Sequence, residues 1–376
     1  MLGIHSSIYG GGLAGEAPSL ALNFTYGVLD PRITFTRASA AWYFNSAGNL
    51  VQANTNAPRF DYNPSTFAAR GLLIEGAGTN IALYSRDFTN AAWVKTNITA
   101  ALNVTGIDGA DNTASRLTAT ANGGTALQTI TSASATHVTS FYARRITGTG
   151  TVEITQDNGA TWTAITLTAA WQRFNVTAAT VTNPVIGFRL GTSGDEIAVD
   201  VAQCEVASAP TSPIITTAAS VARASDVATV TTLTPWFNAT EGTILAEYSR
   251  PFPSGNQYEL SFNDGTTAEQ FSLYNAASNR VVLVQDNGTQ QFLGIVGSGF
   301  DSAFQISKKA LAYTAADFAG CLNGGAIATS ATGTLPTVTN LRLGRLVSIN
   351  HLNGWLRRVV YYPTRLPNAT LQALTV

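Results

Sequence analysis

Asn-Gly and Asp-Gly pairs punctuate this chain, each set between short apolar runs: Asp157-Asn158-Gly159, Asp264-Gly265, Asn287-Gly288, Asn323-Gly324-Gly325 and Asn353-Gly354. Asn, Asp and Gly tolerate the positive φ that tight hairpin turns demand, so their recurrence commits the chain to antiparallel β-structure. The stretch Trp355 to Tyr362 after the last pair is rich in β-branched and aromatic residues, and Pro363 ends it. Asn368 then precedes Ala369, Thr370 and Leu371, with Leu374 one turn on. That predicts a single helical turn capped by Asn368, with two apolar residues on one face.

Composition points the same way. Hydrophobic residues make up 45% of the 376, but Asp, Glu, Lys and Arg only 11%, less than half the usual share of about 25%. Thr, Ala, Ser, Asn and Gly fill the difference, which suits sheets with hydroxyl-bearing outer faces. The net charge of −1 supplies no basic field, so no nucleic-acid partner is expected. No run approaches the roughly 18 apolar residues of a membrane span. Residues 1–15 lack the basic start and apolar core of a secretory signal. Cys204 and Cys321 fall in different predicted domains, so both read as buried small hydrophobes rather than a disulfide.

Taken in order, residues 1–22 are an arm in which Ile4, Ile8, Tyr9 and Leu13 are apolar and have no core of their own. It reads equally as a flexible tail or as an anchor that orders on docking. Residues 23–80 are a hairpin-rich lead-in whose clearest buried strand is Gly71 to Glu75. Arg37, Arg70 and Glu75 there read as structural ion pairs tying hairpins together. Runs spaced through 81–208 give a first β-sandwich. Residues 209–225, with Pro210, Pro213 and Ile214-Ile215, form an extended linker. A second sandwich fills 226–376. The fold expected is all-β: two tandem sandwiches preceded by the hairpin-rich region.

Several passages carry a family resemblance. Hairpin, strand, Asn-Gly turn, long strand and terminal helix over 323–374 resemble the close of concanavalin A-like (laminin-G-type) sandwiches. Tyr84 to Phe88 with Ala92-Trp93, Ser140 to Ala143 and Ala170 to Phe174 resemble jelly-roll carbohydrate-binding modules. More narrowly, Asp30 to Phe35 with Arg37 and Ser39, Pro58 to Pro64, Arg70 to Glu75, Thr211 to Thr216, Gly333 to Pro336, Leu341 to Arg345 and Tyr361 to Pro363 are similar to bacteriophage and gene-transfer-agent tail- or head-spike proteins. The resemblance implies a virion-surface subunit, made in the bacterial cytoplasm, that partners other virion proteins and a host surface polysaccharide as a homo-oligomer. The arm residues Ile4, Ile8, Tyr9 and Leu13 would then be the particle anchor.

Enzyme motifs are missing. His5, His137 and His351 lack metal-spaced neighbours, and no nucleophile elbow, Walker loop or dinucleotide-binding glycine set is present. Concanavalin A-like glycosidases resemble this chain in fold but carry Glu-x-Asp-x-x-Glu along one strand; here Glu241, Glu247 and Glu259 do not match it. Asp195, Glu196 and Asp200 are the candidate ligands for a structural calcium ion, against the alternative of a solvated acidic loop. Sugar binding combines an aromatic platform with planar hydrogen-bonders. The candidates are Trp162, Tyr142 and Gln128 in the first sandwich and Asn263, Asp264 and Tyr274 in the second. Three functions follow in order: a non-enzymatic adhesin, a purely architectural virion protein, and a polysaccharide depolymerase.

Overall fold

A computed structural model describes residues 17–276 and 278–376. The arm residues Ile4, Ile8, Tyr9 and Leu13 lie outside the described residues. Nearly everything described is antiparallel β, in two sandwiches.

The larger sandwich faces an eight-stranded sheet against a seven-stranded one. In the first, Gly354–Tyr362 is central: it pairs Glu241–Ser249 on one side, Ala69–Ile74 on the other, and also Leu20–Asn23. The second runs Ile33–Thr36, Val227–Val230, Asn340–Leu343, Gln257–Asn263, Gln270–Asn275, Asn279–Asp286, Thr289–Ser298. Period-2 alternation sends Phe262, Phe271, Val282 and Leu341 inward to meet Ile244, Leu311, Leu356 and Tyr361 from the facing sheet, in one continuous core. The predicted turns hold: Asn287, Asn323 and Asn353 all have φ near +48° and Gly265 has φ +105°.

The smaller sandwich packs two five-stranded sheets. One is ordered Gln172–Val181, Ala135–Thr147, Glu196–Val206, Ala114–Ala119, Ile98–Val104; the other Thr163–Ile165, Val152–Thr155, Val185–Leu190, Gly124–Thr129, Val94–Thr96. Its core is built on Trp93 stacked on Phe88 at 3.9 Å, with Phe141 and Phe188 4.6 Å apart. Each such fully buried ring contributes about 1.5–3 kcal/mol.

The sequence predicts these modules in tandem, and their connectivity differs from that. The end of the arm and the lead-in supply strands to both sheets of the larger sandwich: Leu20–Asn23, expected within the arm, with Phe60–Tyr62 and Ala69–Ile74 to one, and Ile33–Thr36 to the other. The smaller sandwich is therefore an insertion between strands of the larger one. Lead-in strands such as Ala69–Ile74 carry apolar residues on faces that only the distant C-terminal strands can cover. At the two crossings, Gly78–Asn80 pairs with Val221–Arg223, and the 209–225 segment is packed. Ile214 is buried, and Asn80 Nδ2 donates to its carbonyl at 2.8 Å.

The C-terminal helix also differs from expectation. It runs two turns, Asn368–Thr375, with Pro367 at the N-cap position and no side-chain cap. Asn368 Oδ1 instead accepts from Arg365. Leu371 and Leu374 pack on the outer side of the eight-stranded sheet, over Val360, Tyr362 and the free, buried Cys321. Cys204 is likewise free and lies in the smaller sandwich's core. No helix among the described residues is long and apolar enough to cross a membrane.

Candidate functional site

Where the insertion meets its host, the two sandwiches leave a cleft of about 1020 Å³. One wall belongs to the smaller sandwich. Strand Gln172–Val181 is the edge of its sheet, and Phe174 turns toward the core, which sends Arg173 and Asn175 the other way. Tyr142, cross-strand partner of Arg173, Trp171 and Gln172 complete this wall. Arg173 lies 5.6 Å over the Tyr142 ring and Arg144 5.2 Å over Trp171.

The opposite wall comes from the lead-in and the larger sandwich. Arg70 stands 4.5 Å over Trp355 and 5.4 Å over Phe304, rings 5.8 Å apart. Its Nη1 is paired with Asp61 at 3.2 Å. Asp61 also accepts from the Phe44 N–H at 2.7 Å and from Trp355 Nε1 at 2.9 Å. Burial drives its carboxyl up, and these three donors do not fully offset that.

The floor is the connecting segment Ser208–Pro213. Ser212 donates from its N–H and Oγ to the two oxygens of Glu75, at 2.7 and 2.6 Å. Behind it is a buried ion network. Arg59 pairs with Glu75 at 2.8 Å and Asp226 at 2.6 Å, Arg37 with Asp226 at 3.1 Å, and Arg223 with Glu75 at 3.6 Å. Burial pushes the Glu75 carboxyl up, but Arg223 and Arg59 with the Ser212 bonds outweigh it and hold it at about 2. Arg37, Arg70 and Glu75 thus act as the ion pairs expected; Arg59, Arg223 and Asp226 are their unforeseen partners.

The sugar-binding candidates do not converge. Tyr142 alone reaches the cleft. Trp162 sits in a separate hairpin beneath Arg189, 4.5 Å from the guanidinium. Gln128 is buried, with its amide donating to the Leu83 carbonyl and accepting from the Leu83 N–H. Asn263 is buried as well, bonded to Ser261, the Gly265 N–H and Arg342. Asp264 is exposed and caps its own turn at Thr266. Tyr274 stacks on Tyr258 at 4.6 Å. Buried amides in sheet interiors are recruited to satisfy the backbone and their neighbours, which is what removes Gln128 and Asn263 from reach of a ligand.

The calcium candidates are also kept apart. Asp195 pairs with Arg145, Glu196 with Arg116, and Asp200 bonds through both oxygens to Arg86 at 2.8 and 2.9 Å. Four residues along an extended strand put Glu196 and Asp200 about 13 Å apart, whereas calcium needs its oxygens at about 2.3–2.6 Å. Among the described residues no group of three His, Cys, Asp or Glu is placed to hold a metal.

The sequence marks Ala170 to Phe174 as a motif, and Trp171 and Phe174 do pack at the edges of core clusters, but nothing in it singles out Arg173 or Trp355 for the cleft. The usable signal was alternation: a core-facing Phe174 obliges Arg173 to face out, beside a tryptophan.

No family model matches the chain, and no curated protein does. Among solved structures it is similar to the Ruminococcus gnavus IT-sialidase CBM40, at 18% identity over 37% of this chain and 84% of that one, TM-score 0.32. The NanB sialidase from Streptococcus pneumoniae gives 12% identity over 36% of this chain and 24% of that one, TM-score 0.30. The leech intramolecular trans-sialidase gives 18% over 37% and 23%, TM-score 0.28.

Proposed function

We propose that the protein binds polysaccharide in the inter-sandwich cleft without cleaving it, as the host-recognition subunit at the surface of a phage-like particle. The observation that carries the binding is the cleft's lining. Trp171 offers partly exposed ring surface to the apolar side of a pyranose, over a wall backed by the buried rings of Tyr142 and Trp355, and Gln172, Asn175 and Asn63 offer planar hydrogen-bonders to its hydroxyls. At about 1020 Å³ the space lies at the top of the roughly 300–1,000 Å³ range of ligand pockets. Glycoside hydrolysis needs a carboxylic acid and a carboxylate free to face one bond. The two acids that reach this cleft, Asp61 and Glu75, are both tied to arginines, which supports binding over cleavage. The placement on a particle rests on the spike-protein resemblance, with the arm residues Ile4, Ile8, Tyr9 and Leu13 as the attachment and several copies adding avidity.

The test is a glycan array of bacterial surface polysaccharides probed with the full chain and with Trp171→Ala and Trp162→Ala. Loss of binding in Trp171→Ala with retention in Trp162→Ala is expected. Silence of the full chain favours the architectural reading, and release of reducing ends from a bound polysaccharide would make it a depolymerase. Deleting residues 1–16, which leaves the strand Leu20–Asn23 in its sheet, is expected to strip the subunit from particles while leaving array binding intact.

A further inference from the structure

Arginines in this chain are, as a rule, neutralised. Thirteen of them among the described residues make an ion pair with Asp or Glu. Arg173, which lines the cleft, and Arg144, over the Trp171 ring, are among the exceptions. Arg173 commits one Nη2 bond, to Ser140 Oγ at 2.9 Å, and leans on the Tyr142 ring. Its Nε is buried without a partner. A guanidinium carries five N–H donors, so most of the donors of this half-buried one have no hydrogen-bond partner in the protein. Glu205 feels the Arg173 charge, which works against the upward push of burial on its carboxyl, but its oxygens are bonded to Gln203 and Thr211 and form no ion pair with it.

A cation without an acidic partner in an aromatic-lined cleft, in a chain that pairs most of its arginines, points to an anion brought by the ligand. The planar fork matches a carboxylate through two parallel bonds. The neighbouring rings of Tyr142 and Trp171 would lie against the sugar that carries the carboxylate.

We propose that the cleft selects an acidic sugar, a hexuronate or other carboxylate-bearing residue of a polysaccharide, and that Arg173 pairs with its carboxylate. This rests on the glycan-binding reading above and deepens it by naming the ligand class.

The experiment uses the full chain and a panel of hexuronate polysaccharides, each beside its carboxyl-reduced counterpart, with a neutral glucan and a sulfated galactan as further arms. Reduction turns the carboxylate into an alcohol and leaves the backbone of the polymer unchanged. Binding to an acidic polymer is expected to fall about 10–100-fold on reduction, the loss of one charge-assisted bidentate contact. Arg173→Gln is expected to bind the acidic and reduced forms alike, with the salt dependence of binding lost. Arg173→Lys keeps the charge without the fork and is expected to lie between. Circular dichroism and melting of both variants check that the fold is intact; a variant that fails to fold leaves the carboxyl-reduction pair as the deciding comparison. Equal binding to acidic and reduced forms, or preference for the neutral or sulfated polymer, overturns the proposal while leaving glycan binding standing. Silence across the whole panel overturns both.

Discussion

Asp226→Asn is the sharpest probe of how the two sandwiches are held. Asp226 is fully buried, with Oδ1 on Arg37 at 3.1 Å and Oδ2 on Arg59 at 2.6 Å, and Oδ2 also accepts the Glu75 N–H at 2.9 Å. The network holds three guanidinium groups, Arg37, Arg59 and Arg223, against two carboxylates, Glu75 and Asp226. Asparagine keeps the shape and removes the charge, leaving three cations against one anion in a site closed to water. Taking one partner from a buried pair costs about 3–5 kcal/mol, because the remaining charge is uncompensated. Unfolding entropy scales with chain length, so for a cooperative unit of 376 residues the midpoint should fall by ~4–6 °C. Urea unfolding followed by tryptophan fluorescence and thermal melting followed by circular dichroism both read it. Arg37→Gln combined with Asp226→Asn should cost at least ~1 kcal/mol less than the sum of the two singles, since it removes the cation that the first change strands. A fall below about 1 kcal/mol in Asp226→Asn, or strict additivity in the double variant, would refute the network as the fastening.

Two further outcomes follow from the buried charges. Glu75 is held at about 2 against an ordinary value of 4.5, so its contribution, on the order of 3 kcal/mol, is complete above pH 4.5 and fades as pH falls toward 2; the stability gap between wild type and Glu75→Gln should therefore narrow across that window, and a constant gap would contradict the assignment. Lys309 and Glu259 form a fully buried pair at 3.0 Å, so Lys309→Met alone should lose about 3–5 kcal/mol in urea unfolding while Lys309→Met with Glu259→Leu recovers most of it; equal losses would show that the pair is not coupled.

The strands and turns were legible because their signals are local. Asn-Gly at 323–324 and the apolar run after Gly354 need only neighbours in sequence to declare themselves, and both sandwiches follow from such signals. The insertion was not legible, because nothing in Leu20–Asn23 or Ala69–Ile74 states that its partner is Gly354–Tyr362, more than 280 residues away. Periodicity says that a strand has a face to bury, never against what. The candidate site failed in sequence for the same reason: Gln128 and Asn263 are ligand-like residue types whose hydrogen bonds prove to be internal, while Trp171 and Trp355 become neighbours of one cleft only after the chain has crossed twice between the sandwiches.

Those two crossings also bear on how the cleft works. A sandwich joined by one linker would be free to reorient, and a ligand gripped between two such modules must supply the energy that orders them. Here the chain enters the smaller sandwich beside Gly78–Asn80 and leaves it at Val221–Arg223, and those strands pair with each other. Ser212 stands in the cleft floor with its hydroxyl on Glu75 at 2.6 Å, and Glu75 in turn holds Arg59 and Arg223. The floor is thus fixed by the same buried charges that join insertion to host. A ligand of the proposed kind would then meet the Arg173 wall and the Arg70 wall at a set separation, with the ordering cost met during folding rather than at binding. Weakening the network should accordingly reach the cleft as well as the fold, lowering affinity in variants whose substitutions touch no ligand.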